Sequence, residues 1–294
     1  MMIGNRPVLI FDTSTYNRML EDGVRSDDIM AALCAAYFVR ITDLCVGEVC
    51  ATPDTSKRKA IMEWVNKSQS GPGDYLLSQK EILRLLIAAY ERDPLRFDWR
   101  AVNVSSVGCA QEIACGSFIN DDALAEAQHQ SLKHSKKEFE GVWSHLRPKL
   151  KEVIRRHGRS APTKFQEVLP LVESEGGLLW SFGQGLYRRV AVEDTTESTV
   201  KDFMAKCPPF RAVAYAYLLA WFDRSLADRH KRDRYRAGRA DLFMSIYLPY
   251  CDQFISAEVH GMQERCLREI AQVARLATAV RSYDDFCNSM MLAV

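Results

Sequence analysis

Neither sign of charge prevails in this chain: Lys plus Arg number 39 and Asp plus Glu 38, a formal net charge of +1 at pH 7. That balance gives no global pull toward a polyanion, so nucleic-acid contact has to come from local patches. Long apolar runs are also absent. The amino end lacks the core of a secretory signal, and Leu9-Ile10-Phe11 falls far short of the roughly 20 residues of a membrane-spanning helix. A cytoplasmic protein without membrane contact is therefore expected. None of the nine cysteines (34, 45, 50, 109, 115, 207, 251, 266 and 287) forms a Cys-x-x-Cys pair, which argues against a zinc ribbon or finger. Their scatter and odd count fit reduced, mostly buried thiols. Gly176-Gly177 and Gly183-x-Gly185 lack a following Lys-Ser/Thr, so a phosphate loop is missing too. Internal repeats and long low-complexity tracts do not occur.

What is present is an ordinary globular composition, 47% hydrophobic and 26% charged over 294 residues, enough for a large core. The first stretch reads strand, helix, helix, strand, helix. Pro7 to Phe11 is a short apolar strand. Ser26-Asp27-Asp28 is a helix start, with Ile29, Leu33, Ala36 and Tyr37 on one face. Phe38 to Thr42 is β-branched and aromatic, and Asp43 is placed to cap a helix that Pro53 ends. A polar helix over 56–68 leads to the breaker Gly71-Pro72-Gly73, and Ser78-x-x-Glu81 is a capping box.

From there to about residue 200 the pattern is helical, with starts expected near Asp121, His145, Thr163 and Gly177 and an extended piece at 101–107. The helix 209–226 is apolar nearly all round and belongs in a core. A helix at 240–250, a strand at 253–256, a helix at 261–277, a strand at 279–282 and a terminal helix follow. Strands alternate with helices at both ends while the middle is helical. The expected fold is α/β, three-layer α/β/α with a central, mainly parallel sheet and a large helical insertion. Residues 1–68 and 206–294 are the two parts of the core, and 69–205 the insertion.

Acids stand where strands end. Val8-Leu9-Ile10-Phe11-Asp12-Thr13-Ser14 resembles the opening strand and first acid of a PIN domain. Ile41-Thr-Asp-Leu-Cys-Val-Gly-Glu48-Val49 resembles its second motif, a helix after a strand that presents a glutamate. The run from Asp241 through Tyr247-Leu-Pro-Tyr-Cys-Asp252 to Glu258 is similar to the third and fourth, where an aspartate starts a helix and a later strand ends at an acid. The resemblance covers roughly residues 7–53 and 210–285.

It implies a parallel sheet sandwiched by helices and a Mg2+- or Mn2+-dependent endoribonuclease, a class in which many members are toxins paired with an antitoxin. Carried over residue by residue, Asp12, Glu48, Asp241 and Glu258 are the catalytic and metal-binding acids, and Ser14 matches a polar position beside them. Glu258 departs from the usual aspartate by one methylene. By the same analogy an activated water attacks phosphorus in line, leaving a 5′-phosphate and a 3′-hydroxyl. Physical chemistry agrees: Mg2+ and Mn2+ favour carboxylate and water oxygens, and clustered acids repel one another without a cation.

Six cations lie between Arg229 and Arg239. Beside a metal site, Arg236 and Arg239 are candidates to steady the substrate phosphate and Tyr235 to stack on a base; a solvated loop is the competing reading. A second basic stretch, Lys133 to Arg159, reads as a salt-bridged helical surface, with nucleic-acid binding the alternative. Arg224 and His230 loosely match the Arg…His pair of metal-independent nucleases. Asp252 fits a turn better than a ligand, and Tyr215, Tyr217, Trp221, Phe222, Tyr247 and Tyr250 read as core. The expected activity is RNA cleavage, with DNA, a protein partner or antitoxin, and a homodimer left open. The alternative is an inactive PIN-like scaffold that binds RNA or a partner protein.

Overall fold

The computed structural model describes residues 2–3, 6–69, 74–106, 117–156, 164–174, 177–191, 195–226, 242–258 and 262–291. The expected starts of elements at Thr163, 240–241 and 261, and the whole basic run 229–239 with Asp241, lie outside them.

Five parallel strands form the sheet: β2 (Arg6–Phe11), β3 (Phe38–Thr42), β4 (Tyr75–Leu76), β5 (Gln253–Ser256) and β6 (Ala279–Ser282). Their spatial order is β4-β3-β2-β5-β6, and β1 (Met2–Ile3) adds an antiparallel pairing to the start of β2. Val8, Leu9, Ile10 and Phe11 of the central strand are buried on both sides, as a parallel strand covered by two helical layers demands. The chain is thus α/β, with a helical region between its strands.

One layer gathers α1 (Thr13–Asp22), α2 (Val24–Ala36), α4 (Thr55–Ser68) and the terminal helix α11 (Tyr283–Met291), which pack on one another. On the other, α9 (Pro208–Leu226), a 3-10 segment (Met244–Tyr250) and α10 (Met262–Val273) pack together, with α10 against β5 and β6. Helix α9 is the expected core element: Phe210, Val213, Leu218, Leu219 and Trp221 are all buried. The aromatics read as core lie there, with Tyr217 partly exposed.

Several boundaries moved for local reasons. Gly23, at φ 58°, turns α1 directly into α2, which therefore begins at Val24 rather than after Ser26. The cap of α3 (Asp43–Cys50) is Thr42, whose hydroxyl accepts the Cys45 N–H at 3.1 Å, while Asp43 instead accepts the Tyr75 hydroxyl at 2.6 Å. Helix α5 (Gln79–Arg92) opens with the expected capping box of Ser78 and Glu81. No helix starts at His145: α6 (Asp122–Arg156) runs straight through. Between it and α9 stand α7 (Leu178–Arg188) and α8 (Glu197–Lys206).

The edge strand β4 falls within the 69–205 stretch, and Ser105 bridges to Leu76 beside it, so part of the extended 101–107 piece extends the sheet. Among the described residues no helix is long and apolar enough to cross a membrane. Cys34, Cys45, Cys50, Cys207, Cys251, Cys266 and Cys287 are free thiols, most of them buried.

Candidate functional site at the carboxyl edge

The strand order reverses between β2 and β5: the chain winds outward from β2 through β3 to β4, then returns to β5 on the other flank. Crevices form at such a reversal, outside the carboxyl ends of the strands, because the connections leave in opposite directions. Asp12 follows β2 at this point and Ser256 ends β5 beside it. The Asp12 N–H donates to the Ile255 carbonyl at 3.1 Å, continuing the strand pairing into the site.

Asp12 is only 2% exposed. It is the N-cap of α1, and its Oδ1 accepts the Thr15 N–H at 2.8 Å and the Thr15 hydroxyl at 2.7 Å. The Ser14 hydroxyl lies 2.8 Å from Oδ1 and 2.7 Å from Oδ2, and Ser256 donates to Oδ2 at 2.7 Å. Backbone amides lock the two serines: Ala257 N–H donates to Ser14 Oγ at 2.9 Å and Glu258 N–H to Ser256 Oγ at 3.3 Å. Burial raises the Asp12 carboxyl above its usual range, and the hydrogen bonds from Ser256, Thr15 and Ser14 pull the other way. Among the described residues no cationic side chain pairs with it.

Glu48 reaches the same region from α3. The Thr13 hydroxyl donates to its Oε2 at 2.5 Å, so residues on either side of one peptide bond hold or present the two acids. Between them sits Cys45, whose thiol is pushed up by burial and, in the same direction, by the charges of Glu48 and Asp12. Glu258 follows Ser256 by two residues and lines a recess of about 600 Å3 together with Ser14, Ser256, Arg18 and Lys57. Glu48 lines a different cleft, of about 540 Å3, walled by α3, α5 and α6.

Asp12, Ser14 and Glu48 thus come together around Thr13, with Glu258 at the rim. Asp241, Arg236 and Arg239 lie outside the described residues. Thr13, Thr15 and Ser256 were missed. The sequence does show an unbroken hydroxyl run after Asp12, and a serine directly after the apolar pair Phe254-Ile255.

Two other expectations resolve. Asp252 is at the opposite edge, where its Oδ2 accepts the Val8 N–H at 2.8 Å, so it ties the amino ends of β2 and β5. Arg224 is 4% exposed and grips Glu140 of α6, through Nε at 3.0 Å and Nη2 at 2.5 Å, with its guanidinium 5.1 Å from the Phe139 ring centre. That side chain is a staple between helices, and His230 is outside the described residues.

The oxygens available, from carboxylates and hydroxyls, are of the kind a hard divalent cation takes. A buried carboxylate with no cationic neighbour also fits a site that gains from one. The described residues contain no group of three or more His, Cys, Asp or Glu side chains close enough to hold an ion, so on their own they do not complete a ligand set. Comparison with family models, curated proteins and solved structures finds no match. The fold and site therefore define a class at the level of an α/β protein with an acidic, hydroxyl-lined switch point.

Proposed function

We propose that this chain is a PIN-like, Mg2+- or Mn2+-dependent endoribonuclease. The observation that supports it most is the buried Asp12 carboxylate, without a counter-cation among the described residues, at the reversal of strand order. Asp12 and Glu48, with Asp241 and Glu258, would hold the ion, Ser14 would orient the first carboxylate, and Arg236 and Arg239 would steady the substrate phosphate. When bound, the cation supplies a lowered pKa for water and offsets charge on a phosphodiester. The chain's own part is to aim the two acids, Asp12 through Ser14, Thr15 and Ser256 and Glu48 through Thr13. A role as a toxin or defence nuclease with a protein partner is compatible with this chemistry.

One observation favours the second reading, a PIN-like scaffold that binds RNA or a protein without cutting. Asp12 already accepts hydrogen bonds from three hydroxyls and an amide, so the residue is equally a structural clasp between α1 and β5. End-labelled RNA incubated with Mn2+ or with excess chelator separates the readings. Cleavage only with Mn2+, lost in Asp12→Asn, is the expected result. Cleavage that survives the chelator overturns the metal mechanism, and none under either condition favours the scaffold.

A further inference from the structure

The cleft that exposes Glu48 has a cationic wall. Helix α6 contributes His129, Lys133 and Lys136, spaced i, i+4 and i+7 and therefore on one face. Lys80, at the start of α5, faces the same space from an element about 50 residues earlier in the chain. Lys80, Lys133 and Lys136 are exposed, and among the described residues none of them makes an ion pair. Two acids elsewhere on the described part of the helix are engaged: Glu138 lies 3.3 Å from His134, and Glu140 is taken by Arg224.

Three ammonium groups lining one cleft, against the two carboxylates of Asp43 and Glu48, suit a polyanion. At about 540 Å3 the cleft has the size of a small-ligand pocket and admits about one or two nucleotides, not a duplex. Its floor includes Phe243, half-buried and packed on Tyr217 and Phe139, an apolar surface of the kind unstacked bases rest against.

We infer that this cleft is the track of a single-stranded RNA substrate, with Lys80, Lys133 and Lys136 holding successive phosphates as the strand passes Glu48. The helical insertion then supplies one bank of the substrate groove. The inference rests on the nucleic-acid reading of the same site and adds where the strand lies and which cations hold it.

The test is binding of a fluorescently labelled oligouridylate in chelator, where cleavage plays no part. The double variant Lys133→Gln/Lys136→Gln should bind about tenfold more weakly at low salt. Its log affinity should fall less steeply with log salt, the slope shallower by about 1.4, roughly 0.7 for each of the two phosphates no longer neutralised. Lys137→Gln, one residue along the same helix and outside the cleft, should match the parent. Unchanged affinity and slope in the double variant overturn the inference, as does an equal loss in Lys137→Gln. A chain that binds in this lysine-dependent way but never cuts with Mn2+ would keep the inference and sink the nuclease.

Discussion

The chemistry of the site turns on what surrounds a single carboxylate. Burial raises the Asp12 pKa, so the ionised form costs the folded state stability at neutral pH, and that cost is relieved as pH falls through the raised folded value toward 3.8. Asp12→Asn removes the charge and keeps the shape. It should leave stability at pH 7 unchanged or slightly raised, and the advantage over the parent should shrink as the pH drops. Chemical denaturation at several pH values measures this; a variant clearly less stable at neutral pH would mean that the hydroxyl clasp matters more than the buried charge. Ser256→Ala should act the other way. It deletes the hydroxyl that donates to Asp12 Oδ2 from β5, at a cost of about 1.5–3 kcal/mol at pH 7, and should raise the carboxyl further; stability indistinguishable from the parent would show that the bond contributes nothing.

Among the elements, those with a local physical signature were legible and those without were not. The strand over 38–42 is legible from its β-branched and aromatic residues, those over 253–256 and 279–282 from their place between helical stretches, and the structure has all three at those residues. Strands β1 and β4 are two residues each, too short to carry any periodicity, and exist because a neighbour pairs with them. Helix α6 passes through Pro148, which removes one backbone donor; sequence patterns break there, and the structure does not. The sequence singles out Asp12 by its place after a strand, and Ser14 and Glu48 by the resemblance to the PIN motifs, whereas the Thr13 link and the Ser256 clasp depend on side chains meeting across 35 and 244 residues of chain.

Packing between helices yields a further expectation. Arg224 of α9 is nearly inaccessible while Glu140 of α6 remains 38% exposed, so the pair is asymmetric. Glu140→Ala removes the carboxylate that holds a buried guanidinium and should cost more stability, about 2–3 kcal/mol after allowance for the exposed partner. Arg224→Met frees a carboxylate that water can reach and should cost less. Arg224→Met should also retain Mn2+-dependent cleavage. Its loss in a folded variant would restore Arg224 as a candidate for the chemistry.

At the scale of the whole molecule, a neutral chain has built a locally charged edge. Asp12 stands at the β2–β5 boundary, Glu48 is held beside it through Thr13, and the cations of α6 line the cleft that Glu48 also lines. A fold that buries the Asp12 carboxylate without a cationic partner among the described residues should, on the proposed reading, be stabilised by a divalent ion that binds only the folded state. Calorimetric titration of the intact protein with Mn2+ at neutral pH addresses this most directly. Saturable binding by the parent, accompanied by a rise in Tm and abolished by Asp12→Asn, is the expected result. Equal uptake by the parent and by Asp12→Asn would contradict it, as would no uptake by either.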